Sequence, residues 1–133
     1  MPIAQFARNY RTAAVKTATP GQLVLMLFDG ALRNVATALA GFQLEDVGAR
    51  FEQINNHLLK AQAILLELRL SLDLEAGGEF AERMFALYEF MSHRLQVANL
   101  AKDPEPIRVV EGLLGEVRDA WATMLGQKRA EAL

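Results

Sequence analysis

The amino-acid sequence predicts an all-α protein: an antiparallel up-down four-helix bundle with a short N-terminal leader segment. Three observations carry that expectation. Apolar residues recur at steps of three and four along four long stretches, the period of a helix with one buried face. Proline, glycine and side chains suited to helix capping separate those stretches. Nothing alternates with period two, so no stretch reads as a strand. Four helices joined by short connections pack most simply as antiparallel neighbours.

Residues 1–18 read as a polar leader with isolated apolar groups at Ile3, Phe6, Tyr10 and Val15. The first helix is expected over about 20–40, where Thr19 can cap, Pro20 suits the first helical position and Gln22 completes a capping box. Six apolar residues follow, Leu23 to Phe28. At about 100° per residue, the apolar arc covers roughly half of this helix, with Leu23 and Met26 beyond its edge. The second helix, about 46–72, carries Phe51, Ile54, Leu58, Ala61, Leu65, Leu68 and Leu72 at heptad steps. Gly77-Gly78 breaks the chain before a third helix over about 79–100, striped by Phe80, Met84, Leu87, Met91, Leu95 and Ala98 with Tyr88 on the flank. Asp103-Pro104 signals a fourth start. That helix, over about 104–125, carries Ile107, Val110, Leu114, Val117, Trp121 and Met124, and is expected to fray from Gly126.

Composition narrows the function by exclusion. The 133 residues suit one domain, positions 1–133, and include no cysteine, which removes disulfides and thiolate chemistry and fits a reducing compartment. Fourteen basic residues against 16 acidic ones leave a formal charge of −2, so neither a polyanion surface nor a nucleic-acid partner is expected. The apolar run of the first helix is too short for a secretory signal core or for the roughly 20 residues of a membrane span. Stable membrane insertion is not expected.

The two histidines, His57 and His93, and the serines Ser71 and Ser92 all fall within predicted helices, without nucleophile–base spacing. Neither histidine follows a glutamate by three residues, as a di-iron bundle needs. Gly77-Gly78 lacks the pattern of a phosphate loop. The reading is a non-enzyme with no cofactor and no metal.

What remains is surplus apolar surface, in a chain that is 52% hydrophobic. Leu59, Ala63, Leu66 and Leu70 step along the second helix opposite its core stripe. Ala86, Phe90 and Val97 repeat the pattern on the third helix, with His93 in the gap. The two stripes are placed to flank one groove, which would dock an apolar helix or an extended segment. Two simpler readings stand beside it: the leader folds back over the surface, or the residues are scattered exposed leucines. A third is self-association of copies through the same stripes. Gly30, Gly112 and Gly115, each costly inside a helix, suggest close helix packing or close approach of a partner.

The motifs, taken in order, resemble the FliS family of flagellar export chaperones. Thr17-Ala18-Thr19-Pro20 with Leu23, then Met26-Leu27-Phe28-Asp29-Gly30-Ala31, is similar to the family's first-helix signature. Lys60-Ala61-Gln62, Gly77-Gly78-Glu79, Leu87-Tyr88-Glu89-Phe90-Met91 with Arg94-Leu95 and Ala98-Asn99, and Val110-Glu111-Gly112-Leu113-Leu114 with Arg118-Asp119-Ala120-Trp121 resemble the later ones. The resemblance implies a cytoplasmic four-helix bundle that holds the disordered C-terminal segment of flagellin and prevents filament assembly before type III secretion. Other flagellar export or regulatory proteins are further partners it leaves open. It also implies a leader that occupies part of the binding surface, with a tyrosine at the position of Tyr10. The binding set expected from residues and resemblance together is Tyr10, Leu59, Ala63, Leu66, Leu70, Phe90 and Val97.

Overall fold

Helix starts in this chain are written in hydrogen bonds that the sequence already suggested. In the computed structural model, which describes residues 19–132 and side chains as far as Gln127, Thr19 Oγ1 accepts from the Gln22 amide at 3.2 Å. Gln22 Oε1 accepts in return from the Thr19 amide at 2.9 Å. This reciprocal box satisfies two groups that a helix start would otherwise strand, and it opens α1, Pro20–Gly41. The Asp46 carboxylate accepts from the Ala49 amide at 2.8 Å and starts α2, Val47–Leu70.

Asp73 does the same for Ala76 at 3.0 Å and opens a short helical turn at Leu74, which a kink at Gly78 separates from the long helix that follows; the two together are α3, Leu74–Ala101. The glycine break is nonetheless real. Gly78 has φ 54° and ψ −135° inside this helix, a conformation open to glycine and strained for a residue with a Cβ. Lys102, at φ 53°, ends α3 in the left-handed region. The last helix, α4, runs Pro104–Ala132 and passes through Gly126 without fraying.

Polar side chains mark the order of the helices around the bundle. Between α1 and α2, Gln53 Nε2 donates to the Thr37 carbonyl at 2.9 Å and His57 Nδ1 meets Asn34 Oδ1 at 2.8 Å. Residue numbers rise on one helix as they fall on the other, which is antiparallel pairing. The same holds for α2 and α3, where Asn99 Nδ2 donates to Asn55 Oδ1 at 2.9 Å and Gln62 Nε2 to the Ser92 carbonyl at 3.1 Å. Across α1 and α4, Arg118 Nε donates to Asp29 Oδ1 at 2.8 Å and Trp121 Nε1 to the Gly21 carbonyl at 2.9 Å. Each helix packs on its chain neighbours and α4 returns to α1, closing an up-down four-helix bundle. The α1–α2 seam is the most extensive and the α3–α4 seam the sparsest.

Between these seams lies an apolar core. Phe28, Ala31, Val35 and Ala38 of α1 face Ile54, Leu58, Ala61, Leu65 and Leu68 of α2, with Met91, Leu95 and Ala98 of α3 and Ile107, Val110 and Leu114 of α4. By length and composition α1 would suffice to cross a membrane, but here it supplies one wall of that core. No charged side chain is buried among the described residues. Each large apolar side chain sealed in this way contributes on the order of 1.5–3 kcal/mol before entropy is charged against it.

Three sequence expectations need correction. Phe51 and Phe80 sit at the ends of their stripes, where no neighbouring helix covers them, and are exposed, Phe80 by 64%. Phe51 instead lies beneath Lys102 Nζ, 5.7 Å from the ring centroid. Tyr88, expected on a flank, is only 4% exposed and packs on Phe28 at 6.3 Å between ring centroids. The glycines divide. A Cβ on Gly30 would come within 3.3 Å of Ile64 Cδ1, so that glycine serves the tight α1–α2 seam. A Cβ on Gly112 or Gly115 would meet nothing within 4 Å among the described residues. Close packing does not explain those two, and Gly112→Ala is expected to raise stability by about 0.5–1 kcal/mol, measured as a higher urea midpoint at unchanged slope.

Candidate binding surface

The two faces of α2 separate residue by residue. Leu58, Ala61, Leu65 and Leu68 are buried, whereas Leu59, Ala63, Leu66 and Leu70 are exposed. Adjacent positions make the contrast sharpest: Leu65 is 1% exposed and Leu66 44%. A rotation of about 100° per residue carries one leucine into the core and the next out of it. Leu59, Ala63 and Leu66 form the apolar wall of a groove of about 420 Å³ along the α2–α3 seam, with Tyr88 and Ser92 on the α3 side.

Polar groups edge this groove, and most already have partners. Gln62 is tied to the Ser92 carbonyl. Arg69 lies 3.6 Å from Glu89 and stacks over the Phe85 ring at 5.3 Å. Burial pushes the Tyr88 phenol up to about 12, so it stays a neutral hydroxyl throughout the physiological range. His57 is held below its ordinary value by burial and then by Lys60. It belongs to the α1–α2 seam, away from the groove.

Leu70, 74% exposed, turns into a neighbouring crevice of about 570 Å³ shared with Leu23 and Leu27 of α1. Leu23 therefore lies at the edge of the surface, as its position beyond the α1 arc suggested. A third apolar space, about 590 Å³, opens at the same end of the bundle among Val24, Phe28, Phe80, Met84, Tyr88 and Trp121. Sequence periodicity did not point to it, because it exists only where the break at Gly78 and the ends of three helices meet.

Phe90 and Val97 are exposed, as expected, but they do not line the groove with the α2 stripe. Ser92, which meets Gln62, marks the α2-facing side of α3. At about 100° per residue, Phe90 and Val97 point well round from it, onto the outer face of α3. Val109 is exposed on α4. The α2 stripe lines the groove, and Phe90 and Val97 lie outside it. Tyr10 lies outside the described residues.

A four-helix bundle with an apolar core and an uncovered apolar stripe beside a groove has the build of a helical binding module. The comparisons with known proteins give that class a particular identity. Residues 3–128 match the family described as flagellar protein FliS. The flagellar secretion chaperone FliS of Bacillus subtilis strain 168 is 35% identical over 122 residues, covering 92% of this chain and 87% of the relative. That of Salmonella typhimurium strain LT2 is 38% identical over 119 residues, 90% and 86% of the two chains. The corresponding chaperone of Vibrio cholerae is 30% identical over 107 residues, 80% and 76%. The chain belongs to the FliS family of flagellar secretion chaperones.

Proposed function

We propose that this protein is a cytoplasmic, non-enzymatic chaperone that holds the disordered C-terminal segment of flagellin and prevents premature filament assembly before type III secretion. The observation that carries the reading is the uncovered stripe Leu59, Ala63, Leu66 and Leu70, continuous along α2 and bordered by a groove. A segment without a fold of its own can lay apolar side chains there. Each leucine it fully covers contributes on the order of 1.5–3 kcal/mol gross, enough in combination to exceed the ordering cost of a short segment. Phe90 and Val97 are proposed as a second contact, reached by the part of the tail that continues round α3, and Tyr10 as a contact from the leader.

Titration calorimetry against the flagellin C-terminal peptide tests the reading. A negative heat-capacity change and weak dependence on salt are expected, because the buried surface is apolar. No binding at tens of micromolar overturns it. The exposed apolar side chains Phe90, Val97 and Val109 also favour a second reading, self-association of copies of this chain. Sedimentation equilibrium separates the two, since a stable dimer that ignores the peptide supports self-association alone.

A further inference from the structure

Among the described residues that line the α2–α3 groove, one is charged. Arg69 stands in the last turn of α2, three residues after Leu66 and one before Leu70. It lines the groove with Leu59, Ala63 and Leu66, where the stripe passes on to the crevice that holds Leu70. Its guanidinium lies over the Phe85 ring, 5.3 Å from the centroid. Its ion pair with Glu89 is loose: the closest nitrogen and oxygen are 3.6 Å apart, and the two side chains are 32% and 52% exposed. That separation is too long for a hydrogen bond, and an exposed pair of this kind contributes little. The N–H groups of a guanidinium lie in its plane, in a fork that fits a carboxylate, and stacking on a ring does not use them.

An apolar segment laid along Leu59, Ala63 and Leu66 takes water away from this charge. A cation that loses water is costly unless an anion in good hydrogen-bonding geometry replaces it. Glu89 supplies charge at long range but no hydrogen bond, and it does not line the groove. A main-chain carbonyl of the segment would satisfy a donor and leave the charge uncompensated. A carboxylate satisfies both.

We propose that Arg69 is a specificity-determining residue of the binding surface: it pairs with a carboxylate of the bound segment, side-chain or chain-terminal, and so fixes where that segment's apolar residues fall along the α2 stripe. This rests on the flagellin reading above.

The test uses Arg69→Gln and Glu89→Gln in the full chain. Each is titrated with the flagellin C-terminal peptide and with variants of it in which one carboxylate at a time, the terminal one included, is an amide. Arg69→Gln should weaken binding of the parent peptide about tenfold and abolish the small salt dependence of the wild type, with a melting temperature within a few degrees. Against one amide peptide Arg69→Gln should cost almost nothing more, because the pair is already broken there. The position of that amide tells a side-chain carboxylate from the chain terminus. Glu89→Gln removes the competing acid and should leave affinity equal or a few-fold higher.

Unchanged affinity for Arg69→Gln overturns the inference and leaves the flagellin reading standing. An equal cost of Arg69→Gln against every peptide also overturns it, since no carboxylate then meets the guanidinium. So does a loss with Glu89→Gln as large as that with Arg69→Gln, which would make the pair within the protein the element that matters. Failure of the wild type to bind the parent peptide removes the flagellin reading and this inference together.

Discussion

Replacing both Leu66 and Leu70 by serine is expected to remove the proposed capture of the flagellin tail and leave the bundle folded. Both side chains are exposed, Leu66 beside the groove and Leu70 in the crevice against α1. Neither belongs to the buried cluster, so the folded state loses little. Each leucine covered by a partner is worth about 1.5–3 kcal/mol. Even if the partner covers them incompletely, affinity should fall by about a hundredfold or more, some 2.7 kcal/mol. Calorimetric titration measures that loss, and a thermal melt within a few degrees of wild type shows that folding survives. A variant that unfolds would mean that α2 turns its other face to the core.

The opposite result is expected one step along the helix from another stripe residue. Leu58 is fully buried, adjacent to exposed Leu59. Leu58→Ala leaves a cavity among helices that pack only through their neighbours, and should cost about 2–5 kcal/mol of stability. For a domain of this size that is a fall in melting temperature on the order of 10 °C or more. At temperatures where the variant is still folded, its affinity for the peptide should stay near that of wild type. The Leu58 and Leu66/Leu70 variants together would separate the leucines of α2 that make the protein from those that make the surface.

Much of this was legible in the chain because one period governs most of it. The steps from Ile54 to Leu68 and from Leu59 to Leu70 run in parallel along α2, and a 3.6-residue repeat sorts them into core and surface. The Thr19–Gln22 box could be read directly, since both of its bonds are local. Legibility failed where a third element decides. Phe51 and Phe80 have core spacing, but spacing does not say where the neighbouring helix stops. Tyr88 looked like a flank residue until Phe28 of α1 was set against it. Phe90 and Val97 are exposed, as their spacing predicts, yet whether they share a groove with the α2 stripe depends on where α2 stands. The break at Gly78 is where the glycine pair predicts it, and the short turn that Asp73 caps ahead of it carries no apolar period of its own.

The length of the α2 stripe sets a limit on how much of the proposed client it can shelter. Leu59 to Leu70 is eleven helical steps, about 16 Å at 1.5 Å per residue. An extended chain, at roughly 3.3 Å per residue, crosses that distance with about five residues, and a helical one with about eleven. The stripe is thus a footprint for a short motif rather than a cradle for a whole tail. A longer client would leave most of its sequence outside this contact, so the stripe can demand only a brief, well-spaced set of apolar residues and tolerate wide variation on either side of it.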